Sequence, residues 1–203
     1  MKALVTGFEA FGGESVNISL EAVRRLPARV GGLEVVTVEL PTSYGRSHAT
    51  LEVAIGREAP DIVLCVGQAG ERTALCIERV AVNIQHAEIA DNDGLRPVDA
   101  PVVPGGPVAY LSTLPVRAIF EALRAAALPA LLSMSAGTFV CNHVFYRLMH
   151  LAATQRCAFR GGFLHVPALQ ALAAGDGRFM AVQDVVRGIE VVLEASVKPE
   201  VPS

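Results

Sequence analysis

Short, almost uninterrupted apolar runs alternate along this chain with longer segments of helical periodicity. The clearest run is Asp61–Val66 (DIVLCV), which is typical of a strand buried on both faces. A helical stretch such as Met180–Ser196 instead has Val182, Val185, Val186, Ile189 and Leu193 on one side. Strands that alternate with helices predict an α/β fold with a mostly parallel sheet, covered by helices on both faces.

The other segments follow the same scheme. The pattern predicts further strands at Lys2–Thr6, Glu34–Leu40, Glu78–Ile84, Ala130–Ser135 and Gly162–Val166. It predicts further helices at Ser19–Leu26, Arg46–Glu58, Pro115–Leu128 and Asn142–Thr154. The segment Ile89–Gly106, rich in Asp, Asn, Gly and Pro, is predicted to be a loop or an irregular hairpin.

Length and charge exclude several classes of function. A chain of 203 residues without repeats or linkers fits one domain, residues 1–203. The net charge of −3 provides no basic field, so no nucleic acid or membrane partner is expected. No apolar run reaches the roughly 18 residues that a membrane span requires. The four cysteines lack zinc-ligand spacing, so no metal site is predicted, and no other cofactor is expected. We expect the thiols to be reduced and the protein to be soluble and cytoplasmic.

Cys141 is the first candidate for chemistry. It stands where a glycine-bearing turn, SAGTFV, leads into a helix. The N-terminus of a helix carries partial positive charge and free N–H groups, which favour a thiolate and can hold an oxyanion. The alternative is packing, because Cys141, Val144, Phe145 and Leu148 follow the spacing of a core stripe.

His165 and Glu78 are the candidates to assist that thiol. His165 is the only polar side chain in the apolar run GGFLHV, near the end of a strand, and it is the best-placed base. Glu78 lies on the apolar side of its predicted strand, where a carboxylate needs a partner. It either pairs with Arg72 or Arg79 at the rim or orients the imidazole, as the acid of a hydrolytic triad does.

The remaining cysteines are interpreted as packing residues. Cys65 lies inside a strand predicted to be buried, Cys76 is placed in a loop, and Cys157 follows a helix. None of the three has an obvious activating neighbour in the sequence, whereas Cys141 begins a helix.

The turn TGFEAFGG after the first strand raises the question of ligand binding. Its glycines do not form GxGxxG, and GxxxxGK[ST] is absent from the chain. Phe8 and Phe11 would obstruct a phosphate, which requires bare backbone amides. We therefore expect them to be apolar walls for a small, flat, uncharged ring; the alternative is that they pack into the core.

Several motifs resemble one known family. They run in family order from Thr6 to Pro167: TGFEAFGG, VNIS, GQAGER, IERVAVN, IADN, SAGTFVCNHVFY and GGFLHVP. The chain resembles pyroglutamyl peptidase type I, also called pyrrolidone-carboxylate peptidase. The resemblance implies a cysteine peptidase that removes an N-terminal pyroglutamyl residue from peptides through a thioester. It also implies a phosphorylase/hydrolase-like α/β/α sandwich, the triad Cys141, His165 and Glu78, no metal, and a homotetramer.

The resemblance further implies a ring pocket made of Phe8, Phe11, Thr42, Gln68, Ile89, Phe139 and Val140, in which Gln68 is the natural partner of the lactam. The chain departs from the family pattern at Ala10, Ile18, Glu71, Ile77, Glu88 and Ala90. Glu88 stands where arginine is usual, a charge reversal that bears on efficiency more than on reaction type. The alternatives are a silent binder of cyclic amides, a nucleoside-phosphorylase-like enzyme and a structural interaction protein.

Overall fold

The computed structural model describes residues 1–154, 159–169 and 179–197. The strands are β1 (Lys2–Phe8), β2 (Arg29–Val30), β3 (Leu33–Leu40), β4 (Ile62–Gln68), β5 (Leu75–Glu78), β6 (Val80–Val82), β7 (Ala109–Leu111), β8 (Ala130–Ser133), β9 (Arg160–Val166), β10 (Ala168–Leu169) and β11 (Phe179–Met180). The helices are α1 (Ile18–Val23), α2 (Ser47–Glu58), α3 (Val116–Ala125), α4 (Val140–Thr154) and α5 (Val182–Val197).

Seven strands form the main sheet in the order β2-β3-β1-β4-β9-β5-β8. The four central neighbours β3, β1, β4 and β9 are parallel to one another. β5 is antiparallel to β9 and parallel to β8, and β2 is antiparallel to β3. The sheet is therefore mostly parallel, as predicted, but its β5–β8 side runs in the opposite direction.

Helices cover both faces of this sheet, which gives the predicted three layers. One apolar cluster joins Ile62, Leu64 and Val66 of β4 to α1, α3 and α5. A second cluster joins Val63 and Cys65 of the same strand to α2 and α4. Because successive side chains of a strand point to opposite faces, β4 needs apolar residues at every position, and all seven of its residues are buried.

The predicted strand Glu78–Ile84 is wrong as a single element. β5 ends at Glu78, and the chain then leaves the main sheet to form the separate hairpin of β6 and β7. Arg79, at the break, donates its N–H to Ser133 in β8, while its carbonyl accepts from Ser112 after β7. This switch of partners places Glu78 at the end of a strand in the main sheet.

Other element boundaries differ by a few residues. α1 ends at Val23, although its prediction extended to Leu26, and α3 ends at Ala125. The predicted loop Ile89–Gly106 is confirmed, since it contains no helix and only one isolated bridge, at Ala100. The short strands β2, β7, β10 and β11 have too few residues to show a periodic pattern and were not predicted.

Gly7 shows how closely α1 packs on β1. A Cβ at Gly7 would lie 2.7 Å from the Cα of Leu20, a backbone atom that cannot move without shifting the helix. We therefore expect Gly7→Ala to lower the free energy of unfolding by about 1–3 kcal/mol. Gly56→Ala is the control, because Gly56 is exposed in α2 with open space around it and should gain about 0.5–1 kcal/mol. Chemical denaturation measures both; equal stability of the two variants would contradict the close packing.

Candidate active site

Cys141 is the second residue of α4, at the helix N-terminus. The first backbone bond between a residue of this helix and the preceding turn runs from the N–H of His143 to the carbonyl of Phe139. N–H groups of the first turn lack intrahelical acceptors, and they point toward the end of the helix where Cys141 lies. The Cys141 side chain is half-buried and belongs to no disulfide. A negative charge that develops beside it is therefore stabilised by the helix dipole.

The absence of a side chain at Gly67 makes room for this thiol. A Cβ on Gly67 would lie 2.9 Å from Cys141 Sγ and 2.8 Å from Phe163 Cζ. In the sheet, Gly67 of β4 pairs directly with His165 of β9. The thiol therefore sits over the strand end at which the imidazole projects, close enough for its negative charge to raise the pKa of His165.

Glu78 holds the other side of the imidazole. Its Oε1 lies 2.9 Å from His165 Nδ1, and both side chains are almost completely buried. Glu78 is directly opposite Phe163, so the contact with His165 runs diagonally between the antiparallel strands β5 and β9. Glu78 Oε2 has no hydrogen-bond partner among the described residues, so this buried carboxylate depends on His165 for compensation.

Opposing effects act on the pKa of His165. Burial lowers it, but the negative charge and hydrogen bond of Cys141, followed by those of Glu78, outweigh burial and raise the pKa to about 9. Since Nδ1 faces Glu78, Nε2 is the ring nitrogen left for the thiol. The arrangement supports a protonated imidazole beside the sulfur at neutral pH.

The structure thus brings together the three residues that the sequence singled out. The alternative partners of Glu78 lie elsewhere: Arg72 donates to the carbonyl of Ser135, and Arg79 marks the break between β5 and β6. Glu78 ends a strand that runs opposite to β9, and it reaches His165 across the pair.

The other cysteines differ from Cys141 in burial. Cys65 is fully buried in β4, as predicted, and burial raises the pKa of its thiol to about 12. Cys76 was placed in a loop, but it is buried in β5 opposite His165; burial raises the pKa of its thiol as well. Cys157 lies outside the described residues.

His143, two residues after Cys141, points away from the thiol. Its Nδ1 contacts Gln85 Oε1 at 2.9 Å, and its Nε2 lies 3.2 Å from Nδ1 of His48. Burial, followed by His48 and Arg147, lowers the pKa of His143 to about 3, so the ring is neutral. It therefore packs between α4 and α2.

A small pocket opens beside Cys141. Its lining residues are Phe8, Phe11, Asn17, Thr42, Gln68, Phe139, Val140 and Cys141. The rings of Phe11 and Phe139 are tilted, with centroids 5.7 Å apart. This distance is too short for a third ring to stack between them, which requires about 7 Å, or two contacts of about 3.5 Å. The pair therefore forms one wall of the pocket, and a ligand ring has to lie to one side of it.

Gln68, expected to bind a lactam, is oriented by two contacts of its own. Its Oε1 accepts a hydrogen bond from the N–H of Ile18 at 3.0 Å, which fixes the direction of the amide. Its Nε2 donates to Glu14 Oε2 at 2.8 Å and retains a second N–H. Gln68 thus presents a donor, and not its carbonyl, as the free group.

Ile89 is not among the residues that line the pocket, although it was expected there. It is 48% exposed, and its Cδ1 lies 3.6 Å from where a Cβ of Gly12 would be. Glu88, the reversed charge, extends into solvent and lies 3.4 Å from His86 and 3.9 Å from Arg96. Its carboxylate therefore faces other surface charges.

Two asparagines at the site were missed from the sequence. Asn17 lines the pocket and caps α1, accepting from the N–H and the hydroxyl of Ser19. Asn142 is completely buried; it accepts from the N–H of Val82 and donates to the carbonyls of Val82 and Ile84. Asn142 thereby fixes the first turn of α4 to the chain after Glu78. An asparagine immediately before a helix is a capping signal, so Asn17 could have been identified from the sequence. The contacts of Asn142 join residues about 60 positions apart, and no local sequence pattern indicates them.

Among the residues that the structure describes, none of the helices has both the length and the apolar character to cross a membrane. In the same residues, no group of three or more His, Cys, Asp and Glu side chains is arranged to hold a metal ion.

A half-buried thiol at a helix N-terminus, an imidazole beside it and a buried acid behind the imidazole, on a three-layer α/β/α frame, define a hydrolase of the cysteine-peptidase class. Comparison with known proteins narrows this class. The sequence model of the family described as pyroglutamyl peptidase matches residues 1–199. The chain belongs to the pyroglutamyl peptidase family, whose members are cysteine peptidases.

Individual relatives match this chain over more than nine-tenths of their length. The chain is 46% identical over 199 residues to the pyrrolidone-carboxylate peptidase of Levilactobacillus brevis, covering 97% of this chain and 98% of that protein. It is 50% identical over 198 residues to pyrrolidone-carboxylate peptidase 1 of Ralstonia nicotianae, covering 96% and 92%. The crystal structure of pyroglutamyl peptidase I from Bacillus amyloliquefaciens superposes with a TM-score of 0.93 at 40% identity, covering 96% of this chain and 94% of that one.

The room left by Gly67 can be tested by filling it. We expect Gly67→Ala to displace Cys141 Sγ and to lower kcat at least about tenfold, because a small displacement of a reacting group is costly. Gly70→Ala is the matched control in the same segment, since its Cβ would make only an ordinary contact, 4.0 Å from Ala168 Cβ. The rate of Cys141 alkylation by iodoacetamide should fall with kcat. Unchanged rates in Gly67→Ala would show that the thiol does not occupy this space.

Proposed function

We propose that this protein hydrolyses the peptide bond after an N-terminal pyroglutamyl residue, with Cys141 as nucleophile. The observation that carries the proposal is the position of His165, which contacts Glu78 through Nδ1 and pairs in the sheet with Gly67, the residue against which Cys141 Sγ packs. Family membership supports the same activity, because the relatives are named for it.

In the proposed reaction, Cys141 Sγ attacks the carbonyl carbon of the pyroglutamyl residue. N–H groups of the first turn of α4 stabilise the oxyanion, and His165 gives its proton to the leaving amine. Water, deprotonated by His165, then hydrolyses the thioester and releases pyroglutamate. Glu78 keeps Nδ1 of His165 oriented and stabilises the imidazolium that is present when the thiolate attacks.

The proposed ring pocket explains why a pyroglutamyl end is selected. Its aromatic and aliphatic walls suit an uncharged lactam, whereas a free α-ammonium would lose its hydration there. Gln68 offers an N–H donor to the lactam carbonyl, a group that a proline ring lacks. Each buried polar group left without a partner costs about 1–3 kcal/mol, which favours pyroglutamate over proline.

We further propose that the chain works as a single domain, residues 1–203, in the cytoplasm and as a homotetramer. Cys65, Cys76 and Cys141 are free, which suits a reducing compartment. The tetramer rests on the resemblance to the family alone, and light scattering on the purified protein would show whether it forms. The proposed partners are peptides with N-terminal pyroglutamate, and neither nucleic acid nor a membrane.

The activity is tested with a pyroglutamyl-coumarin amide. We expect Cys141→Ser and His165→Ala each to reduce kcat by about a thousandfold or more, because both take part in bond making and proton transfer. Glu78→Gln should lose less. His150→Ala is the control, since His150 also lies on α4 but contacts Tyr110, away from the thiol. Turnover by Cys141→Ser at the wild-type rate would remove Cys141 from the mechanism.

The pH profile of the reaction reports the state of His165. Its protonated form donates to the leaving amine, and its pKa is raised to about 9, so activity should persist above pH 8 and decline as pH rises through about 9. Glu78→Gln should move this decline to lower pH, because the charge of Glu78 is one cause of the raised pKa. The measurement is kcat/KM between pH 6 and pH 11. A decline near 6.5, the ordinary pKa of histidine, would contradict the assignment.

A further inference from the structure

Glu9 lies between the two phenylalanines of the aromatic turn, Phe8–Gly13, yet it does not line the pocket. Its carboxylate oxygen Oε1 accepts two hydrogen bonds from distant parts of the chain. One comes from the backbone N–H of Thr42 at 3.0 Å, and the other from Nδ2 of Asn92 at 2.9 Å. This single oxygen therefore connects the aromatic turn to Thr42, in the segment after β3, and to Asn92, in the loop between β6 and β7.

The backbone of the turn adds three bonds at the same junction, and a fourth joins Asn92 to Thr42. The carbonyl of Glu9 accepts from Thr42 Oγ1 at 2.9 Å and from Asn17 Nδ2 at 3.1 Å. The carbonyl of Ala10 accepts from Asn92 Nδ2 at 2.8 Å. Asn92 in turn donates its own N–H to the carbonyl of Thr42 at 3.0 Å. Four chain segments therefore meet at Glu9.

These are segments that carry pocket residues. Phe8 and Phe11 flank Glu9 in the turn, while Asn17 and Thr42 both line the pocket. Asn92 follows closely after Ile89, which packs near Gly12. The hydrogen bonds of Glu9 therefore set the distance between pocket walls that belong to segments far apart in the sequence.

The interaction depends on hydrogen bonding more than on charge. Arg46 is the cation near Glu9, at 4.0 Å, but its guanidinium is already held by both oxygens of Asp93 at 2.6 and 2.8 Å. Both donors to the Glu9 side chain use the same oxygen. A glutamine has a carbonyl oxygen that accepts the same two bonds, which separates the hydrogen bonds from the charge in an experiment.

We propose that Glu9 is a positioning residue that sets the affinity of the pocket for the pyroglutamyl ring, without acting on the chemistry at Cys141; this inference rests on the proposed function. The bonds that hold the reacting groups, between Glu78 and His165 and between Asn142 and Val82, share no residue with the Glu9 junction. Loss of Glu9 therefore loosens the binding walls and leaves the thiol and imidazole in place.

The test compares binding with chemistry in Glu9→Ala. We expect KM for a pyroglutamyl-coumarin amide to rise at least about tenfold, equivalent to about 1.4 kcal/mol, while kcat stays within about threefold. The Kd of the bare lactam, 2-pyrrolidone, measured by an NMR titration, should rise in parallel. The rate at which iodoacetamide alkylates Cys141 should not change. Glu39→Ala is the matched control, because this nearby carboxylate is 45% exposed and pairs only with Arg24 among the described residues.

Two further variants make the test decisive. Glu9→Gln should recover most of the affinity that Glu9→Ala loses; a Gln variant as weak as the Ala variant would overturn the hydrogen-bond argument. Asn92→Ala removes one arm of the junction and should raise KM severalfold, and it decides the question if Glu9→Ala does not fold. Wild-type KM and Kd in Glu9→Ala or Asn92→Ala would overturn the proposal, as would a loss of kcat and of alkylation rate at unchanged KM.

Failure of this inference is distinguishable from failure of the proposed function, because binding of 2-pyrrolidone requires no turnover. If the wild type binds the lactam but does not hydrolyse the amide, the peptidase proposal fails, and the Kd values of the variants still decide the role of Glu9. If the wild type hydrolyses the amide and Glu9→Ala binds the lactam equally well, the role of Glu9 alone is refuted.

Discussion

The buried contact between Glu78 and His165 is the interaction on which the site depends. Neither side chain is stable alone in an apolar sheet, because a buried carboxylate without a partner costs several kcal/mol. The contact crosses the antiparallel pair β5–β9, so it also requires the main sheet to reverse direction at β5. The architecture and the proposed chemistry therefore share one constraint: β5 has to pair with β9 in the register that places Cys76 opposite His165 and Glu78 opposite Phe163.

Around that contact, the two faces of the main sheet have different roles. The face covered by α1, α3 and α5 is apolar packing. The face covered by α2 and α4 holds the thiol, the imidazole and the acid, and Gly67 leaves room there for the sulfur. The ring pocket lies next to them but is built from other segments, which are joined through Glu9. In the proposed function, binding and bond cleavage therefore belong to neighbouring networks that share few residues.

The sequence singled out Cys141, His165 and Glu78 by local signals: a cysteine at a helix start, a lone histidine in an apolar run, and an acid on the apolar side of a strand. Such signals can be recognised without a structure because each depends on a few adjacent residues. Gly67, Asn142 and Glu9 gave no comparable signal, because their importance comes from neighbours between about 30 and 100 positions away in the chain. The pocket was predicted in most of its members, but Ile89 lies outside it and Asn17 inside it.

By itself, the sequence determined the α/β class, the order of most helices and strands, and the resemblance to a peptidase family, since periodicity and short motifs are local properties. Only the tertiary structure decided the direction of β5 and β8, the break of the chain after Glu78, and the diagonal contact that follows from it. Strand direction and side-chain register depend on which segments pair, and the free energy of pairing comes from the whole sheet and its two helical layers.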